Sequence, residues 1–408
     1  MSRVLRVNCR IIKACLAFAL WCCTSFAVAA EVAISSIRFG ENGDTSRVVL
    51  DVDSAIEPRI FLLSGPNRVV IDVPMGAWRG NGANRGIGLI GQFRHGLFDA
   101  DTYRIVLDLE RPALVSSSFA LPPREGYNHR YVIDLKSTNA ADFAAAVAAD
   151  KAVASAARPD VTSVAPSVPA SRPSAIPGAK KVIVLDAGHG GPDPGTLGVL
   201  GVNEKHIVLA MAKAIKAELE RTGRYTVKLT RDRDFFIPVR ERFVLGRKLG
   251  ADLFISIHAD SIQNPTVTGG SVYSLSETAS DKEAERLAAR ENKSDLVAGL
   301  DLNEADDEVA GILIDLAQRE TLNYSAQFAE ILVNEMKRDN PMLSRAHRYA
   351  NLGMLKAPDV PSVLIECGYL SNKDDARRLA SAEGQRKIAR SVSRAVDRYF
   401  EHMIALGR

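Results

Sequence analysis

The sequence predicts an α/β domain with a mainly parallel sheet and flanking helices, preceded by a small all-β sandwich. Three observations carry this. From Lys181 onward, short apolar runs alternate with helical patterns, as buried parallel strands and their crossover helices do. Before that, a six-residue β-branched segment recurs four times with turn residues between the copies. An Ala/Pro/Ser-rich stretch lies between the two regions.

Residues 1–30 read as a signal peptide. Arg3, Arg6, Arg10 and Lys13 give a basic start, and Ala14 to Ala30 is almost wholly apolar and ends Ala27-Val28-Ala29-Ala30. Cleavage is expected after Ala29 or Ala30. The apolar stretch falls short of the roughly 20 residues a membrane span needs, so no stable span is expected after cleavage. Cys9, Cys15, Cys22 and Cys23 all lie in this segment, which leaves Cys367 alone in the mature chain. An exported protein with one cysteine has no internal disulfide framework and must rely on its cores. A net charge of +3, with no basic aromatic-rich patch, gives no reason to expect nucleic acid as a partner.

Residues 31–136 form the predicted sandwich. The repeated segments are Arg47–Val52, Arg68–Val73, Arg104–Leu109 and Arg130–Leu135, each with Arg first and Asp fifth (Asp51, Asp72, Asp108, Asp134). The first and third lie 57 residues apart and the second and fourth 62, which points to two similar halves. The Arg and Asp are expected to pair across strands on a solvated face. Residues 137–180 then read as a flexible linker, within which Ala140 to Ala157 is a candidate transient helix.

The α/β domain spans residues 181–402. Strands are expected at Lys181–Asp186, Tyr225–Thr230, Asp252–His258, Leu352–Leu355 and Ser362–Glu366. Helices are expected from Glu204 to about Arg221, stopped by Gly223, at Val239–Leu249, and from about Gly384 to Met403. Material the core does not need falls between Gly269 and Tyr324, with a helical insertion at about 275–322. Its charged part, Ala279–Asn292, alternates acid and base at helical spacing and reads as a solvated helix.

The chemistry sits where apolar runs end. His189 follows Val182–Asp186 in a glycine-rich loop, His258 ends Leu253–Ile257, and Glu366 ends Ser362–Ile365. Open α/β sheets place their sites at the carboxyl ends of strands. Catalytic zinc takes three protein ligands and leaves a place for water. His189 and His258 supply two of these, and Glu204, in the first turn of the next helix, is the candidate third. An acid is also favoured there by the helix dipole alone. Glu366 is costly at a buried strand end unless paired or functional, and beside an activated water it can carry the proton to a departing amine. His206 lies about 200° round the helix from Glu204 and points elsewhere. His347 is a candidate substrate neighbour, while His95, His129 and His402 read as structural or solvated. Asp186 and Asp260 flank the histidines and could orient an imidazole or cap a loop.

Residues 31–136 resemble an AMIN domain, a β module of exported bacterial cell-wall proteins. The motifs Leu-Asp-Ala-Gly-His189-Gly-Gly, Asn-Glu204-Lys, Ser-Ile-His258-Ala-Asp and Ile-Glu366-Cys-Gly-Tyr-Leu-Ser-Asn resemble the zinc-dependent N-acetylmuramoyl-L-alanine amidases of cell division. The resemblance implies Zn2+ on His189, Glu204 and His258, with Glu366 catalytic. It also implies a periplasmic enzyme that hydrolyses the amide between N-acetylmuramic acid and L-alanine of peptidoglycan, with the β module on septal cell-wall material. Division amidases of this kind carry a helix that places a glutamate on the zinc until a LytM-type activator displaces it. By that resemblance Ser280–Asn292 is the helix and Glu283 the blocking residue, ahead of Glu285. The competing functions are a zinc peptidase acting on cell-wall peptides and a non-catalytic peptidoglycan-binding protein.

Overall fold

The computed structural model describes residues 31–80, 85–156, 180–300 and 313–406. The predicted signal peptide and most of the predicted linker lie outside the described residues. No helix among the described residues is long and apolar enough to cross a membrane.

The N-terminal domain is a sandwich of two sheets. One takes β1 (Val32–Asn42), β2 (Thr45–Val52), β5 (Gly76–Trp78), β8 (Ala113–Leu121) and β9 (His129–Ser137) in the order β5-β1-β2-β9-β8. The other takes β3 (Arg59–Leu63), β4 (Arg68–Pro74), β6 (Ile90–Leu97) and β7 (Thr102–Leu109) in the order β3-β4-β7-β6. Alternation aims Val48, Leu50 and Val52 of β2 inward against Val69 and Ile71 of β4.

The four repeated segments pair with one another. The first lies antiparallel to the fourth, with Arg47 opposite Asp134 and Asp51 opposite Arg130. The second lies antiparallel to the third, with Arg68 opposite Asp108 and Asp72 opposite Arg104. The expected solvated face holds for the first pair only. Arg68, Asp72 and Arg104 are buried, because the second domain covers that side.

Residues 140–156 are not linker. They form α1 (Ala140–Ala156), which closes an open end of the sandwich by inserting Phe143 and Val147 into its core. The Asp150 carboxylate accepts from Leu62 N at 2.7 Å.

The C-terminal domain is built on β10 (Lys181–Ala187), β11 (Tyr225–Leu229), β12 (Leu253–His258), β13 (Gly270–Leu275), β14 (Met342–Ala350) and β15 (Ser362–Glu366), ordered β11-β10-β12-β15-β13-β14. All pairings are parallel except β13 with β15. Every residue of β12 and β15 is buried, as strands covered on both faces must be. One face is covered by α2 (Glu204–Arg221), α6 (Leu313–Met336) and the last helix α8 (Ala382–Ala405), with α7 (Lys373–Ala380) beside them. The other is covered by α3 (Val239–Lys248) and α4 (Lys282–Glu291), followed by the single turn α5 (Ser294–Val297).

Two expectations change. Leu352–Leu355 is not a strand: Gly353–Leu355 is one 3-10 turn that tucks Met354 and Leu355 under α3. The dispensable insertion is also shorter than 275–322. Between Gly269 and Tyr324, β13 is a buried strand of the sheet paired with β15, and from Thr321 onward α6 belongs to the core through Phe328, Leu332 and Met336.

Phe143→Ala is expected to destabilise the sandwich by about 3 kcal/mol, the usual cost of deleting a buried phenyl. Urea unfolding followed by the fluorescence of Trp78, in β5, reads it. A shift near zero would mean that α1 is peripheral.

Candidate metal centre

The parallel register of β10, β12 and β15 brings the residues after each strand to one edge of the sheet, with His258 directly opposite Glu366. The loop after β10 doubles back at His189, which sits at φ +58°. This uncommon conformation for a residue with a side chain is locked from both ends. Arg242 donates to the His189 carbonyl at 3.0 Å, and His189 Nδ1 bonds Asp193 Oδ2 at 2.8 Å. Gly188 is required by contact, since a Cβ there would lie 2.3 Å from the His258 ring.

Four side chains converge. His189 Nε2 lies 3.2 Å from Glu204 Oε2 and 3.7 Å from Glu291 Oε2. His258 Nδ1 lies 3.4 Å from Glu204 Oε1 and 3.2 Å from Glu291 Oε2. His189 is 5% exposed, Glu204 and His258 1%, and Glu291 2%. Glu204 is fixed by Ala259 N at 2.9 Å and Thr196 N at 3.0 Å, which aims both its oxygens at the imidazoles. Glu366 is fully buried, with Oε2 accepting from Asp260 N at 3.0 Å.

His189 Nε2, both ring nitrogens of His258 and Glu366 Oε1 are buried with no hydrogen-bond partner among the described residues. Buried polar atoms are rarely left so. The charge balance agrees. Burial works against a charged His189, but Asp193, Glu204 and Glu291 outweigh it and hold its pKa well above the ordinary imidazole range. Burial, followed by the charges of Glu204 and Glu291, pushes Glu366 well above the usual carboxylate range. The pocket is short of positive charge, and a divalent cation among the orphaned nitrogens and carboxylate oxygens would supply it. The tightest ligand-like group is His189, His258 and Glu291. Glu204 reaches each imidazole with a different oxygen.

The structure thus brings together His189, Glu204, His258 and Glu366, all read from the sequence. It does not bring Glu283. That residue lies in the first turn of α4 with its carboxylate towards Arg286 at 3.4 Å, and Glu285 is exposed. The acid at the centre is Glu291. The reason is helical phase: Ala284, Leu287, Ala288 and Glu291 form the buried i, i+3, i+4, i+7 face of α4, whereas Glu283 and Glu285 fall beside or opposite it. That spacing was present in the sequence. It also contradicts the reading of a solvated helix.

Asp193 is a second residue the sequence reading missed. It orients His189, one of the two roles, with loop capping, that the sequence leaves open for Asp186 and Asp260. Asp186 instead takes Thr230 Oγ1 and Ser256 Oγ, each at 2.7 Å, and Arg242, so it ties the end of β10 to its neighbours. Asp260 pairs with Arg290 of α4 and accepts from Thr196 Oγ1. His347 bonds Ser274 Oγ on the far strands and His206 is exposed on α2, both outside the group. Burial raises the Cys367 thiol to about 12, which leaves it no nucleophilic role.

These features define an α/β protein whose buried imidazole–carboxylate centre suits one divalent cation. A family model described as N-acetylmuramoyl-L-alanine amidase matches residues 183–398, and the AMIN domain model matches residues 36–135. The chain belongs to the N-acetylmuramoyl-L-alanine amidase family and carries an N-terminal AMIN domain. It is 31% identical over 398 residues to the N-acetylmuramoyl-L-alanine amidase AmiC of Escherichia coli O6:H1, covering 93% of each chain. It is 33% identical over 365 residues to AmiC of Neisseria meningitidis, covering 87% of this chain and 86% of the relative. Over 224 residues, 55% of this chain and 77% of the relative, it is 41% identical to AmiA of Escherichia coli K12.

Asp193→Ala is expected to weaken divalent-metal binding about 10–100-fold, as loss of a histidine's orienting carboxylate does. Competition against a chromogenic chelator measures it. Unchanged affinity would show that the Asp193–His189 bond does not tune the centre.

Proposed function

We propose that this chain is a zinc-dependent, exported peptidoglycan amidase, held shut by α4 and opened by an activator for daughter-cell separation. The supporting observation is the cluster of orphaned ring nitrogens on His189 and His258, facing Glu204 and Glu291 with Glu366 alongside. In this reading His189, Glu204 and His258 hold the zinc. Bound zinc would polarise the scissile carbonyl and acidify a water. The scissile bond joins the lactyl group of N-acetylmuramic acid to the L-alanine amine.

Glu366 is the proton carrier. Asp260 N fixes its Oε2 and leaves Oε1 as the free acceptor. It takes a proton from the attacking water as the oxygen bonds the lactyl carbon. It then returns that proton to the alanine nitrogen as the carbon–nitrogen bond breaks, so the products are a free lactyl carboxylate and a free amine. Asp193 holds His189 in one tautomer throughout.

Glu291 takes the role the sequence reading gave Glu283. Its carboxylate occupies the space between the imidazoles where water and substrate carbonyl must enter. Arg290, paired with Asp260, and Ala284, Leu287 and Ala288 in the core keep α4 seated. Glu204 fits the permanent ligand because two backbone amides fix it, whereas Glu291 rides on a helix joined to the core by Ala284, Leu287 and Ala288. Export through residues 1–30 would place the enzyme in the periplasm, with the β domain on septal wall material and a LytM-type protein as activator.

Mass analysis of muropeptide digests, with zinc measured on the same samples, tests the reading. Glu366→Ala should keep its zinc and lose activity by about 100-fold or more, a general acid–base contribution. Glu291→Ala should release free lactyl ends and stem peptides faster than wild type without an activator. New amino-acid termini within the peptides would favour a peptidase instead. Protein without zinc would revive a binding-only role.

A further inference from the structure

The β domain presents two outer faces built to one plan. On the first, Arg47 Nε and Nη2 donate to Asp134 at 2.7 and 2.8 Å. Arg38 engages Asp51, and Phe119 lies 6.0 Å from the Arg47 guanidinium. On the second, Arg104 Nε and Nη2 donate to Asp72 at 2.6 and 2.8 Å. Arg94 engages Asp108, and Phe61 lies 5.5 Å from the Arg104 guanidinium.

The faces differ in what they hold. On the second, the guanidinium edges left over by the aspartates reach four consecutive carbonyls. Arg68 donates to Leu296 O, Arg94 Nε to Val297 O at 2.6 Å, and Arg104 Nη1 to Ala298 O at 3.4 Å and Gly299 O at 3.1 Å. On the first face Arg47 Nη1 has no partner among the described residues. Leu296 O and Val297 O end α5 and Ala298 O and Gly299 O follow it; Leu296 O also accepts from Gly299 N at 3.1 Å, and carbonyls at a helix end favour cations. Gly299 sits at φ +77°, and a Cβ there would lie 3.0 Å from Val106 and 3.2 Å from Val70, so the seat is close-fitting. Val70, Val106 and Leu63 are buried on this outer face.

The held segment leads straight to the metal centre. Glu291 ends α4, with two residues between it and the start of α5. Ser294 donates to Asp193, the carboxylate that orients His189, and Asp295 accepts from Val239 N at 2.8 Å.

We propose that this second arginine face is a binding surface whose ligand is residues 296–299 of the same chain, and that its grip keeps Glu291 on the metal centre. The proposal rests on the inhibitory reading of α4. It makes the β domain part of the lock as well as a wall anchor. Displacing α4 then means breaking the arginine–carbonyl contacts or sliding the β domain away from them.

Hydrogen exchange of the zinc-loaded full chain, with activity on labelled sacculi without activator, tests it. Arg94→Ala breaks the grip from the β domain, and Gly299→Val breaks it from the segment with the β domain intact. Both should speed exchange across residues 284–299 about tenfold, as loss of a charge-assisted hydrogen bond allows. Both should also raise basal activity, while Arg38→Ala, the equivalent change on the open face, should alter neither. Unchanged exchange in folded Arg94→Ala and Gly299→Val overturns the grip, and faster hydrolysis by Glu291→Ala would then leave the inhibitory reading standing. Faster exchange with no gain in activity, in these variants and in Glu291→Ala alike, overturns the inhibitory reading and with it the lock.

Discussion

Asp193, Glu204, Glu291 and Glu366 are each at most 3% exposed, and all four converge on two imidazoles. Burying that many acids costs several kcal/mol apiece unless positive charge and hydrogen bonds offset it. The surrounding structure is organised to do so. Glu204 takes two backbone amides, Glu366 takes one, and Asp193 takes His189 and Ser294. The remaining deficit lies at the ring nitrogens without partners, where a divalent cation belongs. The sheet supplies the geometry: parallel β10, β12 and β15 end side by side, so residues far apart in sequence arrive at one edge.

The same charge logic extends outward. The acid on α4 is stable in the interior only beside the centre, so the helix carrying it is tied to the metal site by electrostatics as well as by Ala284, Leu287 and Ala288. Past α4 the chain presents carbonyls at and just beyond the end of a one-turn helix, and arginines of the β domain meet them. The imidazole–carboxylate cluster, α4 and the β domain therefore form one continuous set of charge-assisted contacts.

Much of this was legible in the sequence. Ser362–Glu366 and Glu204–Arg221 were read with their observed bounds, because a continuous apolar run and a periodic one stopped by Gly223 are the least ambiguous local signals. The four central residues are legible because three end or follow such an element and Glu204 begins one. The likeness to a family segment points to Glu283, but the apolar spacing of α4 marks residue 291 as the inward-facing acid. Asp193 sits in a loop with no period to betray it. Strand β14 was missed because, at the sheet edge, it carries Ser344, Arg345, His347 and Arg348 rather than an apolar run. The burial of Arg68 and Arg104 depends on docking between domains, which no local pattern encodes.

A zinc-loaded crystal structure of the full chain tests the central claim most directly. The account predicts one zinc bound by His189 Nε2, Glu204 and His258 Nδ1, with a Glu291 oxygen roughly 2.0–2.2 Å away, the usual zinc–carboxylate distance. A solvent molecule in that fourth place, with Glu291 turned from the metal, would contradict it.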